Sequence, residues 1–329
     1  MAPSRNIYEQ QSANRRNTVL VMAGFILFVG LLGMGCDVFL LGMPLPGEEG
    51  AGLFPLPVIS LAAVLFGSVS AVQGLHAGDR TVLSSAGAVP VDPQNPQHRQ
   101  LSNVVDEMAI AAGIPRPAVY VVPDPDPNAF ATGRDTAHAS IAVTNGLLER
   151  LNREELQGVI AHETGHIRNL DIRLMTVVAA LIGTVLLISE FGLRAMRFGG
   201  GGSRKRSSSS KGGGGLGALV LLVWLAAMIL APVLSRLLAM AVSRQREYLA
   251  DASAAELTRN PGALASALQK IDGATDPTRS IKKGSAHLCI ADPLGREVNE
   301  REGTLADLFA THPPIRRRIQ LLKAMAYAG

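Results

Sequence analysis

The sequence predicts a mainly helical membrane protein, in which four apolar helices accompany a soluble α+β part with a small sheet. Four apolar runs are long enough to cross a bilayer, at residues 19–41, 53–75, 174–193 and 216–234. Between them lie polar stretches in which helical periodicity alternates with short segments typical of strands. One predicted helix of this soluble part carries two histidines four residues apart, which makes it the candidate for a metal site.

The composition points to a membrane rather than to nucleic acid. Of the 329 residues, 47% are hydrophobic but only 4% are aromatic. The pI of about 9.3 reflects basic residues that lie largely beside the apolar runs, and no stripe of interleaved aromatic residues accompanies them. We therefore expect a lipid bilayer among the partners and no nucleic acid. Cys36 lies in an apolar run and Cys289 in a polar region, which argues against a disulfide framework.

The first two apolar runs predict a transmembrane hairpin over residues 19–75. Residues 1–18 are polar and carry arginines, so the positive-inside rule makes them a cytoplasmic tail. Run 19–41 is apolar apart from Asp37 and is too long for the core of a cleaved signal peptide, so we interpret it as an uncleaved anchor. Run 53–75 then returns the chain to the cytoplasm.

Residues 76–173 are expected to form the first soluble part. It begins with a connector over 76–98 that is rich in serine, glycine and proline. Residues 101–112 then follow the helical period, and Gly113 ends that helix.

Short strands are expected next. Residues 118–122 have the character of a strand, and residues 128–131 follow a turn of prolines and aspartates. After a loop, a further strand-like segment consists of Ser140, Ile141, Ala142, Val143 and Thr144. Asn145-Gly146 follows as a strong turn signal.

The helix after this turn carries the candidate metal site. Asn152 can cap it, and Glu155 lies in its first turn, where the helix dipole favours negative charge. His162 and His166 lie one turn apart on one face, so both imidazoles can bind one zinc ion, and Glu163 can serve as a base. The alternative is a chance spacing, because pairs of histidines four residues apart occur in many helices.

The third and fourth apolar runs predict a second hydrophobic hairpin over residues 174–234, with a basic loop rich in glycine and serine at 199–215. If the third run crosses outward from the cytoplasm, this basic loop lies outside, against the positive-inside rule. Either the two runs span the membrane or they enter it without crossing. We favour spanning.

A catalytic zinc ion usually has three protein ligands, so a third is expected elsewhere. Asp171 is a poor candidate, because nine residues beyond His162 it is rotated about half a turn away from the metal face. Glu190 ends an apolar run and is interpreted as an interfacial charge. Glu247 and Asp251 share a helix face, so they can supply a ligand and a carboxylate that orients a zinc histidine. The alternative for both is a solvated helix face.

Three motifs, in this order, resemble those of a known family: His162-Glu163-Thr164-Gly165-His166, Glu247-Tyr248-Leu249-Ala250-Asp251 and His312-Pro313-Pro314. With them the chain resembles the HtpX-like membrane zinc metalloproteases, to which the CAAX prenyl endopeptidases are more distantly related. The resemblance extends over most of the chain, including the four apolar runs. It implies a zincin-like α+β metalloprotease domain on the cytoplasmic side, formed by residues 76–173 together with 235–329.

The resemblance implies one Zn²⁺ per chain, held by His162, His166 and Glu247. It also implies that Glu163 is the catalytic base and that Asp251 supports the site. His312 is expected to face the active-site cleft, and a capping or packing role is the alternative.

A multi-pass protease of the bacterial inner membrane is the function that the resemblance implies. Its polypeptide substrates would be cytoplasmic regions of misfolded or damaged membrane proteins, cleaved in quality control and stress response. We expect an extended substrate to add to residues 140–144, interpreted as an edge strand, with Asn128 nearby. An ordinary core strand is the alternative.

Two other functions compete with this one. The first is a protease that processes a lipid-modified or specific membrane substrate. Such a protease would enclose its substrate in a large chamber between many helices, and four apolar runs are too few to form one. The second is a zinc-stabilised membrane scaffold, which has no need of a base at Glu163.

Overall fold

The computed structural model describes residues 7–39, 43, 56–198, 244–274, 280, 286–291 and 313–327. The chain divides into two compact units. The first consists of Met1–Thr18, Gly74–Ala180 and Leu238–Gly329, and the second of Val19–Gln73 and Leu181–Leu237. The predicted fourth apolar run, the loop at 199–215 and His312 lie outside the described residues.

Helices α1 (Ile7–Phe39) and α2 (Val58–Ser85) contain the greater part of the first two predicted apolar runs. Within the described residues, two segments are long and apolar enough to cross a membrane, Tyr8–Val38 and Val58–Ser85. Helix α1 already begins within the predicted tail, because residues 7–18 contain no glycine or proline that would stop it.

Helix α2 continues ten residues beyond its predicted end, through the start of the predicted connector. Its serines and threonine do not interrupt the helix, because their hydroxyls donate back to carbonyls of the preceding turn. Thr81 Oγ1 lies 3.1 Å from Ala77 O, and Ser85 Oγ lies 2.8 Å from Val82 O.

Within the second unit, α1 and α2 cross closely at Gly33, where a Cβ atom would lie 2.7 Å from Ala63 Cβ. Asp37, the exception in the first apolar run, accepts hydrogen bonds from the backbone N–H groups of Ile59 and Ser60 at 2.9 and 2.8 Å. Its carboxylate therefore satisfies N–H groups in the first turn of α2. Apolar side chains are exposed on both helices, among them Leu20, Leu27, Leu31, Leu61, Leu65 and Phe66.

The first unit contains a small mixed sheet of strands β1 (Val89–Pro90), β2 (Ala118–Val122), β3 (Ala129–Asp135) and β4 (His138–Thr144). The strand order is β1-β2-β4-β3. Strands β2 and β4 are parallel, whereas β1 with β2 and β3 with β4 are antiparallel. A mainly helical fold with a small sheet is thus confirmed.

Strand β4 is not the edge strand that was predicted. Ile141 lies opposite Val119 of β2 on one side and opposite Ala131 of β3 on the other. Residues 140–144 are all buried, so the alternative of a core strand is correct. Their nearly continuous apolar run is typical of a strand covered on both faces. Of the two strands of the β3–β4 hairpin, it is β3 that lies at the edge of the sheet.

The remaining helices of the described chain are α3 (Pro96–Ala112), α4 (Asn145–Arg150), α5 (Arg153–Arg168), α6 (Asp171–Phe198), α7 (Arg244–Thr258), α8 (Pro261–Asp272) and α9 (Ile315–Tyr327). Helix α5 packs against α3, α7, α8 and β3. Its side chains Val159 and Ile160 are fully buried together with Leu101 of α3 and Leu268 of α8. The core of the first unit therefore surrounds α5. The predicted third apolar run lies in α6, and whether it crosses the membrane stays a prediction.

The local signals explain where several helices begin and end. Helix α3 ends at Gly113, as predicted, in a left-handed conformation with φ of 66°. Asn152 caps α5, also as predicted, and forms a capping box with Glu155. Asn145-Gly146 is not a turn, because it forms the first residues of α4. Gly146 is needed there, since a Cβ atom would collide with the carbonyl oxygen of Pro125.

Candidate active site

Helix α5 places His162 and His166 side by side in the interior of the first unit. Their ring centroids lie 4.8 Å apart, and the side chains are 0% and 3% exposed. A pair of imidazoles removed from water in this way requires polar partners. Those partners come from α7, from the first residue of α6 and from α9.

Gly165 lets α7 approach the histidine face of α5. A Cβ atom at this position would lie 3.1 Å from Ser253 Cβ and 3.4 Å from Ala250 Cα, both on α7. The glycine between the two histidines thus brings the helix that carries Glu247 and Asp251 into contact with α5.

The structure brings His162, His166 and Glu247 together, as predicted. Nε2 of His162 lies 3.6 Å from Oε2 of Glu247, and Nε2 of His166 lies 3.5 Å from Oε1. One ligand atom from each residue falls within 4.8 Å of the others. Two ligands of a tetrahedral zinc ion are about 3.4 Å apart, from zinc–nitrogen distances of about 2.0–2.1 Å. The three side chains therefore fit a zinc ion.

The other nitrogen of each imidazole is held by a carboxylate. Nδ1 of His162 lies 3.0 Å from Oδ1 of Asp251, and Nδ1 of His166 lies 3.1 Å from Oδ2 of Asp171. Both Nε2 atoms are thereby directed toward Glu247. A histidine that binds a metal through one nitrogen and a carboxylate through the other is the usual arrangement in metal sites.

Asp171 takes part in the site, although its position on a continuous helix would direct it away from the metal face. The prediction that it is a poor third ligand agrees with the structure, since Asp171 contacts His166 from behind. Its supporting role was missed because the chain turns between α5 and α6, where Leu170 has a φ of 58°. This turn reverses the direction in which residue 171 would otherwise point.

Arg318 of α9 is a further residue that the sequence did not single out. It is 1% exposed, and it donates from Nε to Asp251 Oδ2 at 2.9 Å and from Nη2 to Asp251 Oδ1 at 2.7 Å. Its Nη1 lies 3.2 Å from Glu247 Oε2. The helical period contains a signal that could have identified Arg318. Among the three successive arginines at 316–318, Arg318 is the one that lies on the same helix face as Ile319 and Leu322.

The pKa values of the two histidines are shifted in opposite directions. Burial lowers the pKa of His162, and the positive charge of Arg318 acts in the same direction. Burial also opposes protonation of His166, but the carboxylates of Asp171 and Glu247 outweigh it and raise the pKa of His166. Asp251 remains ionised despite its burial, since Arg318 lowers the pKa of Asp251 to about 2.

Glu163 lies in the interior next to this cluster and is 1% exposed. Within the described part of the chain, no side chain donates a hydrogen bond to its carboxyl oxygens, and the backbone N–H of Ala131 lies near enough to favour its charged form. Burial raises the pKa of Glu163 to about 7, against the opposing effect of His166. A carboxyl group with a pKa near neutrality can accept and return a proton, which is the property required of a general base.

The other predicted site residues lie apart from this cluster or are engaged within the protein. The amide of Asn128 donates to Ala291 O at 3.0 Å and accepts from Ala129 N at 3.1 Å. Thr144 caps α4 and donates to Asp126 O at 2.6 Å. These contacts stabilise the ends of β3 and β4.

Comparisons with known proteins point to one family of proteases. Residues 95–326 match the model of peptidase family M48. The chain is 44% identical over 321 residues to a protease HtpX homolog of Caldanaerobacter subterraneus subsp. tengcongensis, with 98% of each chain covered. It is 40% identical over 319 residues to a protease HtpX homolog of Streptococcus gordonii, with 97% of this chain and 100% of the relative covered.

A solved structure is also similar, the crystal structure of S. mikatae Ste24p, at a TM-score of 0.47 and 16% identity. The similarity covers 96% of this chain and 66% of that chain, so this chain spans just under two thirds of its length.

The family match contains every residue of the cluster around His162, including Asp171 and Arg318. The relatives match this chain nearly from end to end, and the resemblance to the HtpX-like proteases is thereby confirmed. Together with the two apolar helices, they indicate a membrane protease. The chain therefore belongs to peptidase family M48.

Proposed function

We propose that this protein is a membrane-bound zinc endopeptidase that cleaves cytoplasmic regions of misfolded or damaged membrane proteins. The observation that carries the proposal is the buried carboxyl group of Glu163 beside three side chains that fit a zinc ion. A site that served only to stabilise the fold would need the ligands but no such group. The geometry therefore favours an enzyme over a zinc-stabilised scaffold.

In this proposal His162, His166 and Glu247 hold one zinc ion per chain. When bound, zinc polarises the scissile carbonyl and makes a water molecule more acidic. Glu163 takes the proton from the attacking water and returns it to the leaving amine. Asp251 and Asp171 hold the Nδ1 atoms, so that both Nε2 atoms stay directed at the ion.

The substrate is proposed to bind along β3 rather than along β4, because β4 is paired on both sides. The outer edge of β3 is bonded at two points: Ile290 N donates to Ala129 O at 2.9 Å, and Gly133 N donates to Thr176 Oγ1 at 3.0 Å. Ala131 lies between these points, and its backbone N–H is near enough to Glu163 to lower the pKa of that residue in part. We place the substrate backbone next to Ala131.

The membrane anchors are proposed to set the choice of substrate. Helices α1 and α2 have the length and composition of membrane spans. Arginines precede the first span and are absent from the loop after it, which favours a cytoplasmic N-terminus and a cytoplasmic catalytic unit. An endopeptidase held at the inner face of a bacterial inner membrane would encounter the loops of other membrane proteins. Spanning by the third and fourth apolar runs belongs to the same proposal.

The test is to purify the full-length protein with zinc and to measure cleavage of a loosely folded membrane protein. Glu163→Gln is expected to reduce kcat by about 10²–10⁴-fold, the usual contribution of a general base. The variant should retain its zinc, because Glu163 is not one of the three ligands.

Glu154→Gln is the matched control, since Glu154 is exposed on the same helix. It should cleave at the rate of the wild type. Equal rates for the wild type and Glu163→Gln would end the proposal.

A further inference from the structure

The N-terminal turns of α1 carry polar side chains that are buried, although the helix is long and apolar enough to cross a membrane. Residues 7–18 belong to the first unit, which also holds the zinc-site residues. Asn14 and Thr18 are both 0% exposed and lie on one helix face, four residues apart. Buried polar groups of this kind normally have hydrogen-bond partners.

The partners of Asn14 lie at the junction between α5 and α6. Its Nδ2 atom donates to Asn169 O at 3.0 Å and to Asp171 Oδ1 at 2.7 Å. Both partners are acceptors, and the amide group of asparagine donates only through its nitrogen. The orientation of the Asn14 amide is therefore fixed by its surroundings.

Asp171 connects this amide to the candidate zinc site. Its Oδ1 atom accepts from Asn14, while its Oδ2 atom lies 3.1 Å from Nδ1 of His166. Among the described side chains, Asn14 and His166 alone are hydrogen-bonded to the Asp171 carboxylate, and Nε of Arg246 lies farther away, at 3.6 Å. Without Asn14, the carboxylate could rotate about its χ angles and alter its bond to His166.

We propose that Asn14 is a positioning residue for His166 and acts through Asp171. The proposal rests on the zinc endopeptidase function given above. The two imidazoles are then supported in different ways: Arg318 fixes the carboxylate behind His162, and a neutral amide from the first apolar helix fixes the carboxylate behind His166. The helix that anchors the chain in the membrane thereby contributes directly to the affinity for zinc.

Gln11 offers a matched control. Its Nε2 atom donates to Arg168 O at 2.8 Å, so it holds the same helix against the same junction without touching Asp171. If the polar face of α1 served only to dock the helix, Asn14 and Gln11 would have similar effects when replaced.

The experiment uses the purified full-length protein and measures zinc affinity by competition with a chelator, unfolding of the metal-free protein, and kcat and KM. Asn14→Ala is expected to weaken zinc binding by about 10-fold, the lower end of the effect of losing a group that supports a ligand. Asn14→Leu, which keeps the branching at Cγ but has no donor, should do the same, whereas Gln11→Ala should leave zinc affinity unchanged. In an Asp171→Ala background, Asn14→Ala should have no additional effect.

Three outcomes would overturn the proposal. In the first, Asn14→Ala and Gln11→Ala lower only the unfolding temperature of the metal-free protein. In the second, both variants weaken zinc binding equally. Either result would mean that Asn14 serves only to dock α1 against the junction between α5 and α6. The effects of Asn14→Ala and Asp171→Ala on zinc affinity could also be additive, so that Asn14 would not act through Asp171. A wild-type protein that binds no zinc would be a distinct result, because it would overturn the zinc site itself and this role with it.

Discussion

Arg318 forms a two-point ion pair with Asp251 in the interior of the protein, with Nε to Oδ2 at 2.9 Å and Nη2 to Oδ1 at 2.7 Å. Asp251 also holds Nδ1 of His162 at 3.0 Å. Three groups that water would otherwise solvate are thus joined in one network, in which Arg318 and Asp251 balance each other's charge. The C-terminal helix, far from the histidines in sequence, is therefore part of the support of the site.

Replacing Arg318 by Met should destabilise the protein strongly. The carboxylates of Asp251 and Glu247 would stay buried without their cation, and breaking a buried pair in this way costs about 3–5 kcal/mol. Arg318→Lys should lie between this variant and the wild type, because lysine keeps the charge but cannot form both hydrogen bonds. Unfolding of the purified protein measures the effect. Arg317→Met, at an exposed neighbour, is the control, and equal stability of the two Met variants would contradict the prediction.

Glu247→Gln should remove most of the bound zinc, since an amide retains the shape of the side chain but supplies no negative ligand. Zinc per chain after dialysis is the measurement. Glu256→Gln changes an exposed glutamate on the same helix and should leave the zinc content unchanged. Full zinc occupancy in Glu247→Gln would mean that the third ligand is another residue.

Much of this site could be predicted because its residues come in pairs one helical turn apart. His162 with His166 and Glu247 with Asp251 each share a helix face, and that relationship is visible in the sequence alone. Asp171 could not be placed in the same way. The direction of its side chain depends on the turn at Leu170, whose positive φ ends α5 and starts α6 on a new axis. The sequence alone shows an uninterrupted helical pattern across this point.

The parts that were missed depend on contacts between distant segments. Asn14 and Arg318 reach the site from opposite ends of the chain, and no local pattern pairs either of them with the carboxylate that it binds. The position of β4 was predicted wrongly for a related reason. The alternation and length of a strand identify it as a strand, but the order of strands in a sheet is set by tertiary packing.

Glu155 should make the stability of the protein depend on pH. Its carboxylate accepts from Asn152 N at 2.9 Å, Ser266 Oγ at 2.7 Å and Lys270 Nζ at 2.7 Å. Burial opposes ionisation, but the hydrogen bonds from Lys270 and Ser266 outweigh it and lower the pKa of Glu155. A lowered pKa means that the folded state prefers the charged form, so this stabilisation is present at neutral pH and is lost as the pH falls through the folded-state pKa.

Glu155→Gln should therefore destabilise the protein at pH 7 by about 1 kcal/mol, as the loss of a helix cap does. The difference from the wild type should shrink in acid, once Glu155 itself is protonated. Unfolding measured over a series of pH values tests this expectation, with the exposed Glu154→Gln as control. A difference that stays constant from neutral to acidic pH would show that the charge of Glu155 has no part in the effect.

Gly158→Ala should destabilise the protein, although alanine is the better helix former. Gly158 lies in α5, one turn before His162, and a Cβ atom there would lie 2.8 Å from Leu264 N and 3.0 Å from Leu264 Cα. Helix propensity favours alanine over glycine by about 1 kcal/mol, whereas overpacking of a close contact costs about 1–3 kcal/mol. Because the atoms in the way belong to the backbone of α8, no side chain can rotate to make room. Overpacking should therefore outweigh propensity.

Gly24→Ala provides the opposite case in α1, since a Cβ atom there would meet no described atom within 4 Å. The unfolding temperature should fall for Gly158→Ala and stay the same or rise for Gly24→Ala. Displacing α5 from α8 should also shift the histidines relative to Glu247, so Gly158→Ala is expected to bind zinc more weakly as well. If Gly158→Ala proved as stable as the wild type, the close approach of α5 and α8 would not be a constraint on the site.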